Sequence, residues 1–263
     1  MRQGLILFEF LREFLLEFFA ARAPHGCPPV ARASLVVAAV ALAIGVACGA
    51  WAEQAPTDGA TSHRKFDDVV HWGKVFDDPA RDQWQKPDHI VDALGLRPGM
   101  GVADIGAGTG YFSRRLSVAV GQSGAVYVVE VEPNLVAHMR DRADAEKTAN
   151  VVPVLASADN PRLPPASIDV ALFVDAWHHV DARRAYLAVL RRALRPGGRI
   201  GVVEWKPGKQ PQGPKEEDHK VPRETVIGEM TAGGFELVET PDFLPHQYFL
   251  LFRMAAEPME PPK

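Results

Sequence analysis

The run Val102-Ala103-Asp104-Ile105-Gly106-Ala107-Gly108-Thr109-Gly110-Tyr111-Phe112 concentrates residues whose types and spacing suit ligand chemistry. Glycines at alternate positions permit a tight turn and let the backbone approach a ligand that a Cβ would hold away. Asp104, two residues before the first glycine, is placed to face a cationic amino group. A dinucleotide loop would read G-x-G-x-x-G; here the spacing is G-x-G-x-G, and Tyr111 stands where the third glycine would fall. Further on, Glu130 closes an apolar run. The stretch Asp175-Ala176-Trp177-His178-His179 brings together an acid, an indole and two imidazoles. Imidazoles titrate near neutrality, so His178 and His179 are candidate general bases, with Asp175 beside them. Trp177 is a candidate platform for a planar substrate or for adenine. Asp175, His178, His179 and His219 are metal-ligand types, but they follow no recognisable ligand spacing, and no metal site is assigned.

Such groups need a scaffold that brings them to one place. From Phe66 onward, short apolar runs alternate with helical patterns, the signature of βαβ units on a parallel sheet. The pattern predicts a helix over Asp88–Leu94, then a strand Gly101–Ile105. A helix follows with Phe112, Leu116, Ala119 and Val120 on one face. Strands follow at Ala125–Val129, Val151–Leu155, Ile168–Val174 and Arg199–Glu204, with Pro133 opening a helix between the first two. A helix carrying Leu187, Leu190 and Leu194 is expected to stop at Pro196-Gly197-Gly198. A helix near Arg223–Thr231 precedes two last strands, Phe235–Glu239 and Gln247–Arg253, that can pair as a hairpin. Trp72 and Trp84, ahead of the first strand, are placed either to cover a ligand or to pack the leading segment on the sheet.

In order and spacing these stations resemble the class I S-adenosylmethionine-dependent methyltransferases, over roughly Pro87 to Arg253. The resemblance implies an α/β, Rossmann-like doubly wound fold. Its seven-stranded sheet would be mostly parallel, with an antiparallel closing hairpin. It implies S-adenosyl-L-methionine as cofactor, held by Asp104, Gly106, Ala107, Gly108, Gly110, Tyr111, Glu130, Asp159 and Asp175. In that family an acid at the end of the second strand meets the ribose hydroxyls, as Glu130 would. The acid of Ala156-Ser157-Ala158-Asp159 would lie near the adenine amino group. The implied activity is methyl transfer to a small-molecule acceptor, with His178, His179 and Asp175 as catalytic candidates. Two rival readings stand beside it: a non-catalytic adenosyl-cofactor-binding module, and a nicotinamide-dependent oxidoreductase disfavoured by Tyr111. A narrower likeness to a bacterial methyltransferase subgroup is carried by His71-Trp72, Val75 to Pro87, Asp175 to His179, His219-Lys220 and Leu244 to Phe249; it implies no particular acceptor.

Composition bounds the rest. A formal net charge of −4 argues against a general nucleic-acid binder, which wants a basic face. Both cysteines, Cys27 and Cys48, precede the folded region, so that region has neither a disulfide nor a thiolate ligand. Ala33 to Ala52 is almost wholly apolar and long enough to span a bilayer as a helix. Three readings of it are open: a signal peptide cleaved after Ala50-Trp51-Ala52, a lipidated Cys48, or an uncleaved anchor. Upstream, Leu5–Phe19 carries Glu9, Arg12, Glu13 and Glu17 at spacings that give a helix a narrow polar stripe; it suits a membrane surface, or lies ahead of a true start near Val30. The expected division is an N-terminal signal or membrane segment over 1–52, a linker over 53–65, a methyltransferase domain over 66–255 and a disordered tail over 256–263. The expected location is membrane-associated or exported, and cytoplasmic if the start lies further on.

Overall fold

A computed structural model describes residue 60 and residues 65–255. The expected N-terminal membrane segment, nearly all of the linker and the tail fall outside the described residues. Among those described, no helix is long and apolar enough to cross a membrane.

Two short helices lead, α1 (Val69–Phe76) and α2 (Arg81–Gln85), followed by α3 (Pro87–Ala93). Lys86 in the left-handed region turns the chain between α2 and α3, and Pro87 starts α3 with its φ already set. Then come β1 (Gly101–Ile105), α4 (Tyr111–Val120), β2 (Ala125–Glu130), α5 (Pro133–Glu146) and β3 (Val151–Leu155). The second half runs β4 (Ile168–Val174), a 3₁₀ turn Trp177–His179, α6 (Arg183–Ala193) and β5 (Leu194–Trp205). A second 3₁₀ turn, Glu217–His219, leads to α7 (Arg223–Ala232), β6 (Phe235–Glu239) and β7 (Gln247–Met254). The two leading helices were not expected from periodicity. Leu194, read as helical, instead opens β5: Ile168 pairs with Leu194 and Val170 with Arg199, so the Pro196-Gly197-Gly198 turn bulges within the strand edge rather than preceding it.

The seven strands form one sheet in the order β3-β2-β1-β4-β5-β7-β6. The first five are mutually parallel, and β7 runs antiparallel to both β5 and β6. β1 is buried at every residue, as a strand covered on both faces must be, whereas β3 at the edge carries Pro153 and exposes Val152 and Leu155. One face packs Ile90 of α3, Leu116 of α4 and Met139 of α5; the other packs Leu187 and Leu190 of α6 with Val226 and Met230 of α7. From β1 the chain builds outward to β3, then crosses back to β4 and builds the other way. Sequence order therefore reverses between β1 and β4, and ligands in open α/β sheets bind beyond the carboxyl ends of strands at that point.

Candidate active site

At that crevice lies a cavity of about 1080 Å³, the size range of ligand sites. Its floor is the loop after β1, its near wall the ends of β2 and β4, and its cover the leading segment with Phe66, Trp72, Phe76, Arg81 and Trp84.

The loop is shaped by its glycines. Gly106 has φ +70°, and a Cβ there would come within 2.6 Å of the Ala176 Cβ. Gly108 has φ +58°, and a Cβ would meet the Phe76 ring at 3.0 Å. The loop's amides are already used inside the protein. Gly106 N–H donates to the Val129 carbonyl at 2.9 Å, Ala107 N–H to the same oxygen at 3.3 Å, and Gly108 N–H to Glu130 Oε2 at 2.9 Å. A pyrophosphate would need such amides pointing outward, so this turn is a poor anion cradle. Two buried acids face the cavity instead. Asp104 accepts from the Ser113 hydroxyl at 2.6 Å, and burial raises its carboxyl to a pKa of about 6. Glu130 accepts from Gly108, Val131 and Glu132 amides, yet burial still holds it above the usual carboxylate range. An acidic floor beside a loop whose Gly106, Ala107 and Gly108 amides are already taken suits a cationic, hydroxyl-bearing cofactor.

Of the cofactor candidates, Asp104, Gly106, Ala107, Gly108, Tyr111, Glu130 and Asp175 line the cavity. Gly110, at φ +83°, does not; it turns the chain into α4. Tyr111 also points away from a ligand role in its hydroxyl, which donates to Asp82, while the Arg81 and Arg115 guanidiniums lie 4.3 and 4.7 Å from its ring centre. Asp159 is brought to an exposed bridge, where it accepts from Ser157 at 2.7 Å; the wall beside it is Ala156, Ser157 and Ala158. Trp177 is fully buried against Phe173, with its indole N–H donating to Glu229 at 2.8 Å, so it cannot stack on a substrate or cap adenine. The tryptophans that do reach the cavity are Trp72, Trp84 and Trp205.

Asp175, just past β4, is held at φ +54°, a strained conformation for a residue with a Cβ. Its carboxylate is gripped from three sides. Gln247 donates at 2.5 Å, Gln85 at 3.1 Å, and Arg81 lies 3.9 Å away as an ion pair. Gln85 also donates to Gln247 at 3.1 Å, and both glutamines are fully buried. Burial, with the neighbouring Glu204 charge, lifts Asp175 to about 6 despite Arg81 and His178.

His178 is paired with Glu204 at the end of β5. Its backbone N–H donates to one carboxylate oxygen at 3.2 Å, and Nδ1 lies 2.9 Å from the other. Burial alone would lower this imidazole, but the Glu204 carboxylate outweighs it and the pKa rises above the ordinary histidine value. The rings of His179 and His219 stand 4.1 and 5.2 Å from that of His178. Arg81 and Gln85 entered the sequence reading only within the subgroup likeness, Gln247 there and as a strand end, and Glu204 only as a strand end, none with a role in the site. Each is far in sequence from the motif it serves, and only Glu204, an acid ending a buried strand, gave a local signal.

Residues 102–198 match the family model described as a methyltransferase domain. Among curated relatives, the ubiquinone/menaquinone biosynthesis C-methyltransferase UbiE of Ectopseudomonas mendocina is 33% identical over 120 residues, 45% of this chain and 47% of that protein. Its counterpart from Burkholderia vietnamiensis is 32% identical over 119 residues, 44% and 49% of the two chains. The chain spans about half the length of the curated relatives it matches. Among solved structures, a SAM-dependent methyltransferase from Aquifex aeolicus superposes with a TM-score of 0.68 at 22% identity, covering 73% of this chain and all of that one. A chain described as the [4+2]-cyclase SpnF shares the fold too, with a TM-score of 0.55 at 16% identity over 66% of this chain and 81% of its own. The match to the methyltransferase-domain model thus takes in the glycine loop, the end of β2 and the end of β4 that border the cavity, and the solved structures share the fold.

Proposed function

We propose that the protein transfers a methyl group from S-adenosylmethionine to a small, planar acceptor bearing an ionisable hydroxyl or acidic carbon. The observation that carries this reading is the cavity's lining. Asp104 and Glu130 stand beside the glycine loop, and the same cavity carries Trp72, Trp84, Trp205 and the histidine cluster, with Trp72 stacked on the Phe76 ring that covers Gly108. When bound, the cofactor supplies an electrophilic methyl on a sulfonium, and transfer leaves the thioether S-adenosylhomocysteine. Asp104 would hold the cofactor's ammonium group and Glu130 its ribose hydroxyls, each oxygen keeping lone-pair capacity beyond its present hydrogen bonds. The aromatic cover would exclude water, which otherwise competes as acceptor. The acceptor must lose one proton as its lone pair forms the new carbon bond. The His178–Glu204 pair and its two histidine neighbours are the groups placed to handle that charge. Asp175, locked by Gln85 and Gln247, would orient the ligands within the cavity.

A second reading, cofactor-dependent chemistry other than methyl transfer, gains support from the likeness to a cyclase on the same fold. The test is calorimetric titration of the full chain, in detergent micelles, with S-adenosylmethionine, S-adenosylhomocysteine and NAD. Micromolar binding of both adenosyl ligands, lost in Asp104→Ala, with no NAD binding, is expected. Tight NAD binding without adenosyl binding would overturn the proposal. Labelled methyl transfer to simple phenols and hydroquinones then separates the two readings. We also propose that Ala33–Ala52 brings the chain to a membrane; fractionation of cells expressing the full chain and one lacking that stretch tests it.

A further inference from the structure

We infer that His178, His179 and His219 form a divalent metal site of the zinc type in the wall of the cavity. This rests on the methyltransferase reading for its chemical use, but not for its existence. One nitrogen from each ring lies within 4.8 Å of the other two. Three nitrogens at the usual zinc–imidazole distance of about 2.1 Å from a common tetrahedral ion would lie roughly 3.4 Å apart, so about 1 Å of ring movement completes the site. All three residues line the cavity, so a fourth position would open onto the acceptor space.

The surroundings are those of metal-bound histidines. Nδ1 of His178 is 2.9 Å from Glu204, and Nδ1 of His219 is 2.8 Å from Asp218. A carboxylate on one ring nitrogen fixes the tautomer and makes the other, Nε2, a stronger ligand. Glu204 is fully buried, a costly placement for a carboxylate unless a cation or its imidazole partner stays beside it. The nearest buried guanidinium on this side, Arg183, is itself paired with Glu229 at 2.7 Å, which limits its repulsion of a cation. The His179 ring packs edge-on to Phe66 at 5.4 Å, so the site has an apolar rim. A zinc ion with three neutral imidazoles and an open position would bind the acceptor's oxygen and favour its anion, taking over from the histidines the handling of that charge; the acceptor's proton passes to bulk water before the methyl group arrives.

The experiment uses untagged full chain carrying Cys27→Ser and Cys48→Ser, stripped with chelator and titrated calorimetrically with Zn²⁺. One ion per chain at micromolar Kd or tighter is expected. His179→Ala and His219→Ala should each weaken binding at least about 100-fold, and Glu204→Gln about 10- to 100-fold. Zn²⁺ should raise the melting temperature of the parent and not of the histidine variants. S-Adenosylhomocysteine is titrated in parallel; its binding tests the cofactor reading separately. The inference is overturned if a chain that binds S-adenosylhomocysteine takes up no Zn²⁺, or if both histidine variants bind it as well as the parent does. Should a variant fail to melt cooperatively, pulsed electron paramagnetic resonance of the Cu²⁺-loaded parent counts bound imidazoles directly: three support the site, none overturns it.

Discussion

Replacing Asp104 by asparagine removes one charge from the floor of the cavity and leaves a side chain that can still meet the Ser113 hydroxyl. In the folded protein this carboxyl keeps its proton up to a pH of about 6, against an ordinary 3.8. A cationic cofactor needs the anion. Affinity should therefore fall as pH drops through 6, by about tenfold from pH 7 to pH 5 for one such group. Losing a hydrogen bond between charged partners, worth about 1.5–3 kcal/mol, predicts a roughly 10- to 150-fold higher Kd for Asp104→Asn at pH 7. The variant should lose most of the pH slope, so the gap to wild type narrows at pH 5. Stability should move the opposite way. The unfolded chain gives up this proton first, so the carboxyl costs stability as pH climbs from 3.8 to about 6, a difference of about 3 kcal/mol that persists above. Empty Asp104→Asn should thus melt higher than wild type at pH 7 and alike near pH 4. Titration calorimetry with S-adenosylhomocysteine and thermal melts across pH 4–8 read both effects. Equal wild-type affinity at pH 5 and pH 7, or an undiminished slope in the variant, would refute the assignment of the ammonium to Asp104.

Gly106→Ala forces a Cβ toward Ala176 at 2.6 Å on a backbone with φ +70°; it should cost about 1–3 kcal/mol in urea melts, and an unchanged midpoint would contradict the loop geometry. Glu229→Ala strands the buried Arg183 guanidinium and should cost about 3–5 kcal/mol by the same assay. Trp177→Phe should cost about 1–3 kcal/mol through the lost indole bond to Glu229, while cofactor Kd stays at the wild-type value; a raised Kd would return the indole to the site.

The alternation of apolar runs with helical patterns was enough to locate all seven strands; the central parallel ones, β1 and β4, read as short, mostly apolar stretches because they are buried on both faces. Misplaced details have local causes. Leu194 continues the helical spacing of Leu187 and Leu190, but pairing with Ile168 outweighs that preference. The helix α2, five residues long, is too short for periodicity to register, and α1 has no buried residue to mark a core-facing stripe. In the cavity lining, Asp104, Gly106, Gly108 and Glu130 were legible because they sit at or just past strand ends where type and position coincide. Asp175's partners were not: Gln85 is 90 residues and Gln247 is 72 residues from it, and a buried glutamine has no spacing rule. Trp177 shows the converse error, since an aromatic beside candidate catalytic residues reads as a platform whether it faces the ligand or the core.

The placement of β7 bears on how the fold is completed. β6 precedes β7 in the chain but touches the sheet only through it, at the end of the order β5-β7-β6. When β6 is made it can pack on α7 but has no strand to pair with, and it joins the sheet only through the later β7. Gln247, the first residue of that strand, arrives beside Asp175 in the same event. A nascent chain that already displays the glycine loop and both floor acids still lacks this clamp. Completion of the sheet and completion of the Asp175 clamp therefore depend on the same C-terminal strand.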